Sequence, residues 1–421
     1  NPSSATIDTT TLIQGFKITN GGNVLRGAGF YLKNSSPILK YLDVTENNTT
    51  NDNNSIGGGI FTELSSPIIY KVAINNNFAN WGGGLYCLTE SNPDTTRIIF
   101  SKIFSNVGKY GGGIGLGGGN PVLSNLEIYN NSASFYGGGV YNHSANSYIS
   151  NVIIYRNTAN TKGGGIGIDG GTTRIYDSVI ASNISPNGGG IYNTIRVIVI
   201  GSTIINNIAS DNGGGIYTRS NSLPLQLQRS NVINNNSSNL GSGIYDKNGY
   251  IIVSNSNLQN PDISVYNLDN SNILQANSNF WGNISGPHHP TQNPTGQGDS
   301  TNQWVNVDPW LTAPNTDAPP IPAQNLKLDS QTVTSATFSW DASKIGDLSG
   351  YKIYYDTDTT GYPYANSVDL GNVITKSLTG LTTGKKYYVA VSTYDTDGNE
   401  SWYSKEVAVQ LNNTPVIAAV S

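Results

Sequence analysis

Gly111-Gly112-Gly113, preceded by Tyr110 and followed by Ile114, is one instance of a punctuation that recurs along most of the chain. Triple glycines return at 57–59, 82–84, 137–139, 163–165, 188–190 and 213–215. Degraded copies stand at Arg26-Gly27-Ala28-Gly29-Phe30 and Leu240-Gly241-Ser242-Gly243-Ile244. From first glycine to first glycine the steps are 30, 25, 29, 26, 26, 25, 25 and 28 residues. A near-regular repeat of this length predicts a solenoid, in which a coil buries its apolar face only against its neighbours.

One coil shows how the chain would turn. Gly137-Gly138-Gly139-Val140-Tyr141-Asn142 begins it, and a turn is expected near 143–146. Tyr148–Tyr155 then supplies one or two short strands, and Arg156–Asn160 leads to the next glycines. Alternating, β-branched runs of three to five residues point to strands and leave no room for helices of useful length. Coils are expected to stack at about 4.8 Å. The aliphatic residues after the glycines (Ile60, Leu85, Ile114, Val140, Ile166, Ile191, Ile216, Ile244) should face inward. Six residues before the first glycine stand Asn76, Asn131, Asn157, Asn207 and Asn235, with Asn106 and Asn183 one place later. Asparagine tolerates left-handed backbone angles and can bridge to the next coil, so these read as a second ladder. The glycines read as a corner where a Cβ would clash.

Composition narrows the class. At 421 residues more than one domain is expected. Charged residues are only 12% and net charge is −5 with no basic run, which argues against nucleic acid as a partner. No run of about 18 apolar residues exists, so no membrane-spanning helix is expected. The single cysteine, Cys87, reads as a small buried residue. The absence of methionine suggests a processed or trimmed piece, and the solenoid begins without a covering helix.

The Gly-Gly-Gly-Ile-Tyr-Asn repeat, with lead-ins such as Asn206-Asn207-Ile208-Ala209, resembles bacterial right-handed parallel β-helix repeat proteins. It also looks like the repeats of chlamydial polymorphic outer-membrane proteins. The resemblance covers about residues 5–310 and implies an all-β fold, a right-handed parallel β-helix of about ten coils. The pectate-lyase-like superfamily holds both polysaccharide enzymes and adhesins without chemistry, so the fold leaves function open. Phe280-Trp281-Gly282, Ser285-Gly286-Pro287 and Pro309-Trp310-Leu311 resemble the segment that ends many secreted β-helix proteins. The domain 1–312 would therefore close with a cap at about 278–312, Trp281, Trp304 and Trp310 covering the last coil.

A Pro-rich linker is expected at 313–324, and 325–412 resembles a fibronectin type III module. Trp340 would be its core tryptophan, and Tyr387 the tyrosine of its corner with Leu381 beneath. The tail 413–421 reads as the start of a further module or as a donated strand, with Val416, Ile417 and Val420 available for end-to-end assembly.

An enzyme on this scaffold needs ionisable groups in one coil or in matching columns of adjacent coils. Glu63 and Asp169 share an offset from the glycines but are four coils apart, roughly 19 Å. Asp43 and Glu127 are three coils apart, and Asp177, Asp211 and Asp246 have no acidic neighbour in an adjacent coil. His288-His289 should point to opposite sides of an extended loop, and Asp395–Glu400 reads as a turn rather than a calcium loop. No catalytic residue, metal site or cofactor is expected. The informative surface is aromatic. Phe61, Tyr86, Tyr141, Tyr192, Tyr217 and Tyr245 form a column outside the core, interrupted by Gly115 and Gly167. Trp81, Tyr110 and Tyr136 stand just before the glycines of three successive coils. Such rings suit a sugar or a protein partner, or else a self-stacking ladder that stiffens the rod. The expected protein is thus a secreted or cell-surface structural or adhesive rod, partnered by itself or by an extracellular glycan. A polysaccharide lyase or glycoside hydrolase and a carbohydrate-binding module are the alternatives.

Overall fold

The computed structural model describes residues 7–89, 95–220, 224–357 and 362–411. Every regular element among them is a strand, and no helix is long and apolar enough to cross a membrane. The chain divides into two compact units at Ala318/Pro319.

The first unit is a parallel β-solenoid. Its strands stack into four ladders of 12, 10, 6 and 12 strands, each strand pairing with its counterpart one coil away. The first sheet runs from Leu12–Gln14 and the second from Lys17–Thr19. The third, short sheet runs from Val107–Tyr110, and the fourth from Phe30–Lys33. The expected inward column is realised: Ile60, Leu85, Ile114, Val140, Ile166, Ile191, Ile216 and Ile244 are fully buried and aligned coil on coil.

The triple glycines line up because each position excludes a side chain for its own reason. Gly137 has φ 66°, in the left-handed region. A Cβ on Gly138 would sit 2.4 Å from the carbonyl oxygens of Thr158 and Gly164 in the next coil. One on Gly139 would sit 2.8 Å from the Gly165 carbonyl oxygen and 3.1 Å from Asn157 Nδ2. The third glycine therefore makes room both for the next coil's backbone and for the asparagine ladder.

That ladder comprises Asn47, Asn77, Asn106, Asn131, Asn157, Asn183, Asn207, Asn235 and Asn260, joined amide to amide at 2.9–3.1 Å. The structure corrects the expected member Asn76. Asn76 takes the left-handed angle (φ 52°), and its neighbour Asn77 makes the bridge. The two properties that suit asparagine here are divided between adjacent residues, as in Asn130–Asn131 and Asn206–Asn207. Coils differ by one residue between ladder and glycines, and a register shift between Gly108 and Tyr110 absorbs the difference.

A second corner joins the first sheet to the second. Most later coils place Asn125, Asn151, Asp177, Gly201 and Asn255 there in the left-handed conformation, residues that tolerate it, and one places Arg229 (φ 46°). Earlier coils instead put Tyr41, Lys71 and Phe100 in that conformation (φ 51° for each). For residues of this kind it costs about 1–2 kcal/mol.

The stretch expected to cap the solenoid packs onto its last coils. Phe280 and Trp281 are buried, Val305 and Val307 complete the apolar lumen, and Trp310 packs partly against it, its indole over Gly286. Trp304 is half-buried. Cap strands extend the first sheet (Val305–Asn306 on Leu274–Gln275) and the fourth (Gly298–Thr301 on Ile263–Asn267). The stretch 313–324 is shared out: the Asn315 N–H donates to Asn257 Oδ1 in the solenoid, whereas Ile321 and Ala323 are buried in the second unit. The second unit is an antiparallel sandwich of three- and four-stranded sheets around Phe338, Trp340, Tyr351 and Val391. Val416, Ile417 and Val420 lie outside the described residues.

Candidate functional site

The outward column of the fourth sheet is aligned as expected, but it is not an open surface. Phe61, Tyr86, Tyr141, Tyr192 and Tyr245 are buried, and Tyr217 is half-buried. Their rings cover one another: Tyr192–Tyr217 and Tyr217–Tyr245 stack at 5.1 and 4.9 Å. The interruption at Gly115 is a seat rather than a gap, since a Cβ there would lie 2.3 Å from the Tyr86 ring. At the next interruption, Gly167, the coil contributes Lys162, whose ammonium lies 4.8 and 4.9 Å from the Tyr136 and Tyr192 ring centres. Lys162 Nζ also donates to Tyr136 Oη at 2.8 Å. This column is a stacking and cation–π assembly in which the rings cover one another.

The neighbouring column keeps rings at the surface. Trp81, Tyr110 and Tyr136 are half-buried, and Phe135 joins them. Trp81 stacks on Tyr110 at 4.3 Å, Phe135 on Tyr136 at 4.3 Å, and Tyr110 meets Phe135 edge-on at 5.4 Å. Trp81 Nε1 donates to the Asn53 carbonyl at 3.1 Å, which fixes the indole plane. Lys109 Nζ lies 5.5 Å from the centre of the Tyr110 ring.

At the edge of this platform stand two residues that the sequence reading did not select. His143 Nδ1 is 3.2 Å from Asp169 Oδ1, and Tyr141 Oη donates to Asp169 Oδ2 at 2.6 Å. Burial, then the bond to Asp169, raises the Tyr141 hydroxyl well above its ordinary pKa, so it stays protonated and donates. His143 is exposed, and its ring centre lies 6.0 Å from that of Trp81. Both residues lie six places after the first glycine of adjacent coils. Counting imidazoles alongside acids at matching offsets would have found the pair.

Two other acids on the solenoid are engaged by cationic neighbours. Glu63 takes Tyr31, Lys33 and Arg26, and Glu127 takes Lys102 at 3.0 Å. The expectation for Asp246 is corrected: Asp269, in the next coil, is an acidic neighbour. Cys87 is buried, and that burial pushes its thiol up to about 11. His289 is buried and its Nδ1 accepts from the Gln292 N–H, while His288 is exposed. Asp395 Oδ1 accepts from the N–H groups of Asp397 and Asn399, closing the expected turn.

In the second unit Trp340 is a core residue, and Tyr387 Oη accepts from the Thr382 N–H at 2.9 Å over buried Leu381. This is the expected tyrosine corner. A fibronectin type III family model matches residues 319–410. The C-terminal unit is a fibronectin type III domain. Tyr387→Phe should cost it about 1 kcal/mol in denaturant unfolding with the fold unchanged, because the Thr382 N–H loses its acceptor.

Besides the fibronectin domain, a Chlamydia polymorphic membrane protein repeat model matches residues 201–219 in the solenoid. Solved structures similar to the chain match over about a quarter of it. An Fn3-like protein from Clostridium thermocellum is 25% identical, covers 23% of this chain and 97% of that one, at TM-score 0.20. A fibronectin type-III domain of human fibronectin type III domain containing protein 3 is 19% identical, covering 24% and 94%, at TM-score 0.20. The FN1-FN3 fragment of chicken CNTN1 is 18% identical, covering 23% of this chain and only 32% of that fragment, at TM-score 0.21. No curated protein matches the chain.

Proposed function

We propose that the protein is a structural or adhesive element of a cell surface, a stiff parallel β-solenoid that holds an aromatic contact patch and carries a fibronectin type III domain. The observation that bears most weight is the asparagine ladder, unbroken from Asn47 to Asn260. It ties the coils into one continuous element, a construction suited to spacing and display. The polymorphic membrane protein repeat and the fibronectin domain support a surface location.

The contact patch in this reading is Trp81, Tyr110, Phe135 and Tyr136, with a glycan as the ligand class. Flat aromatic faces suit the apolar face of a pyranose ring, and Lys109 and His143 supply polar contacts at the margin. On a glycan array the Trp81→Ala/Tyr110→Ala variant should lose binding at least tenfold while keeping its thermal transition. Equal binding by variant and native protein would remove the patch from the proposal.

The His143–Asp169 pair favours a second reading. An exposed imidazole oriented by a carboxylate is the arrangement of a general base. A polysaccharide lyase or glycoside hydrolase acting through it would release unsaturated uronates or reducing ends from a polysaccharide panel, and lose that activity on His143→Ala. A display rod releases neither.

A further inference from the structure

The first coils carry a second surface, on the opposite side of the sequence logic from the aromatic platform. At the corner between the first and second sheets, Tyr41 and Phe100 are each 51% exposed although both are aromatic. Both hold the left-handed backbone that most other coils assign to asparagine, aspartate or glycine, and that Lys71 and Arg229 also adopt. Tyr70 lies between them, 6.2 Å from Tyr41 and 5.7 Å from Phe100 by ring centres, both edge-on. Lys40 Nζ is 4.8 Å from the centre of Tyr41 and 5.4 Å from that of Tyr70. Lys71 Nζ is 5.8 and 5.5 Å from the same two. The acid on this corner, Asp43, is engaged by the Asn75 amide at 2.9 Å. A protein of net charge −5 thus presents an aromatic and cationic strip along one edge.

The geometry points to this edge as a docking strip for an anionic lipid surface. Three features select a bilayer over a chain-like polymer. The strip lies at a convex corner, which meets a flat surface, whereas small ligands and sugars favour concave sites. Phe100 has no polar tip with which to read hydroxyl groups, but its ring suits the boundary between headgroups and acyl chains. Lysines set among the rings match the negative potential of the headgroups. The strip does not share residues with the Trp81 platform, so this inference stands apart from the glycan reading.

Vesicle co-sedimentation of the full chain tests it, with phosphatidylserine–phosphatidylcholine vesicles, pure phosphatidylcholine vesicles and immobilised dextran sulfate. The native protein should bind the anionic vesicles, lose that binding in high salt and leave the neutral vesicles in solution. Lys40→Ala/Lys71→Ala should weaken partitioning about 30-fold. Tyr41→Asn/Phe100→Asn should weaken it at least tenfold without lowering the thermal midpoint, because asparagine accepts the same backbone. The inference fails if neutral vesicles bind equally well, if either double variant keeps native binding, or if dextran sulfate is retained and vesicles are not.

Discussion

Asn157→Ala is expected to lower the stability of the solenoid by about 4 kcal/mol. Asn157 Oδ1 accepts from both the backbone N–H and the Nδ2 of Asn131, each at 3.0 Å. Its Nδ2 donates to the Ile128 carbonyl at 2.9 Å and to Asn183 Oδ1 at 3.0 Å. All four partners are in the interior, out of reach of water. Leaving a buried donor or acceptor unmade costs about 1–3 kcal/mol, far more than a neutral hydrogen bond contributes on balance. Loss of the amide also opens a void beside Gly139. Since coils communicate only with their neighbours, the defect should divide the array, and chemical denaturation should show a broadened or split transition. Asn160→Ala, at an exposed position in the same coil, should stay within about 0.5 kcal/mol of native. An Asn157→Ala protein as stable as Asn160→Ala would show that the ladder decorates the fold rather than holding it.

The same residues show what the sequence could and could not reveal. Period alone placed the glycines, the inward aliphatics and the ladder, because coils that stack must repeat their chemistry in columns. It missed the end members Asn47 and Asn260 and misplaced one other: Asn75-Asn76-Asn77 offers three identical side chains, and only the structure selects Asn77. The aromatic column was legible as lying outside the lumen. Its burial was not, since that depends on Tyr86 tilting over Gly115 in the next coil and on the Lys162 ammonium settling between two rings. Tyr41 and Phe100 were hidden more deeply. Pattern assigns aromatics to strands, whereas here they sit at left-handed corners where asparagine would be expected.

Asp246→Asn should stabilise the protein by about 3 kcal/mol at pH 8 and change it little at pH 4. The residue stands in the lumen column that holds Asn142, Asn193 and Asn267 in other coils, directly between Thr218 and Asn267. It is fully buried, its Oδ1 accepts from the Asn248 N–H at 3.1 Å, and its Oδ2 has no hydrogen-bond partner. Burial pushes the carboxyl up to about 7, with Asp269 adding to the rise and the nearby backbone N–H groups opposing it. In the unfolded chain the same group titrates near its ordinary value of 3.8. The folded state therefore holds a proton that the unfolded chain has released across the interval between those values. This group's contribution is complete below about pH 4 and is lost as pH rises through about 7, where a charge must be kept in the lumen. Asp299 in the cap is shifted upward by burial in the same sense, so the native protein should be firmer in acid at its C-terminal coils than at neutral pH. An amide at 246 has no proton to lose, and its thermal midpoint should follow pH less steeply than the native one. Parallel curves for the two proteins between pH 4 and 8 would mean that water or a counter-ion reaches Asp246, and that the lumen there is not dry.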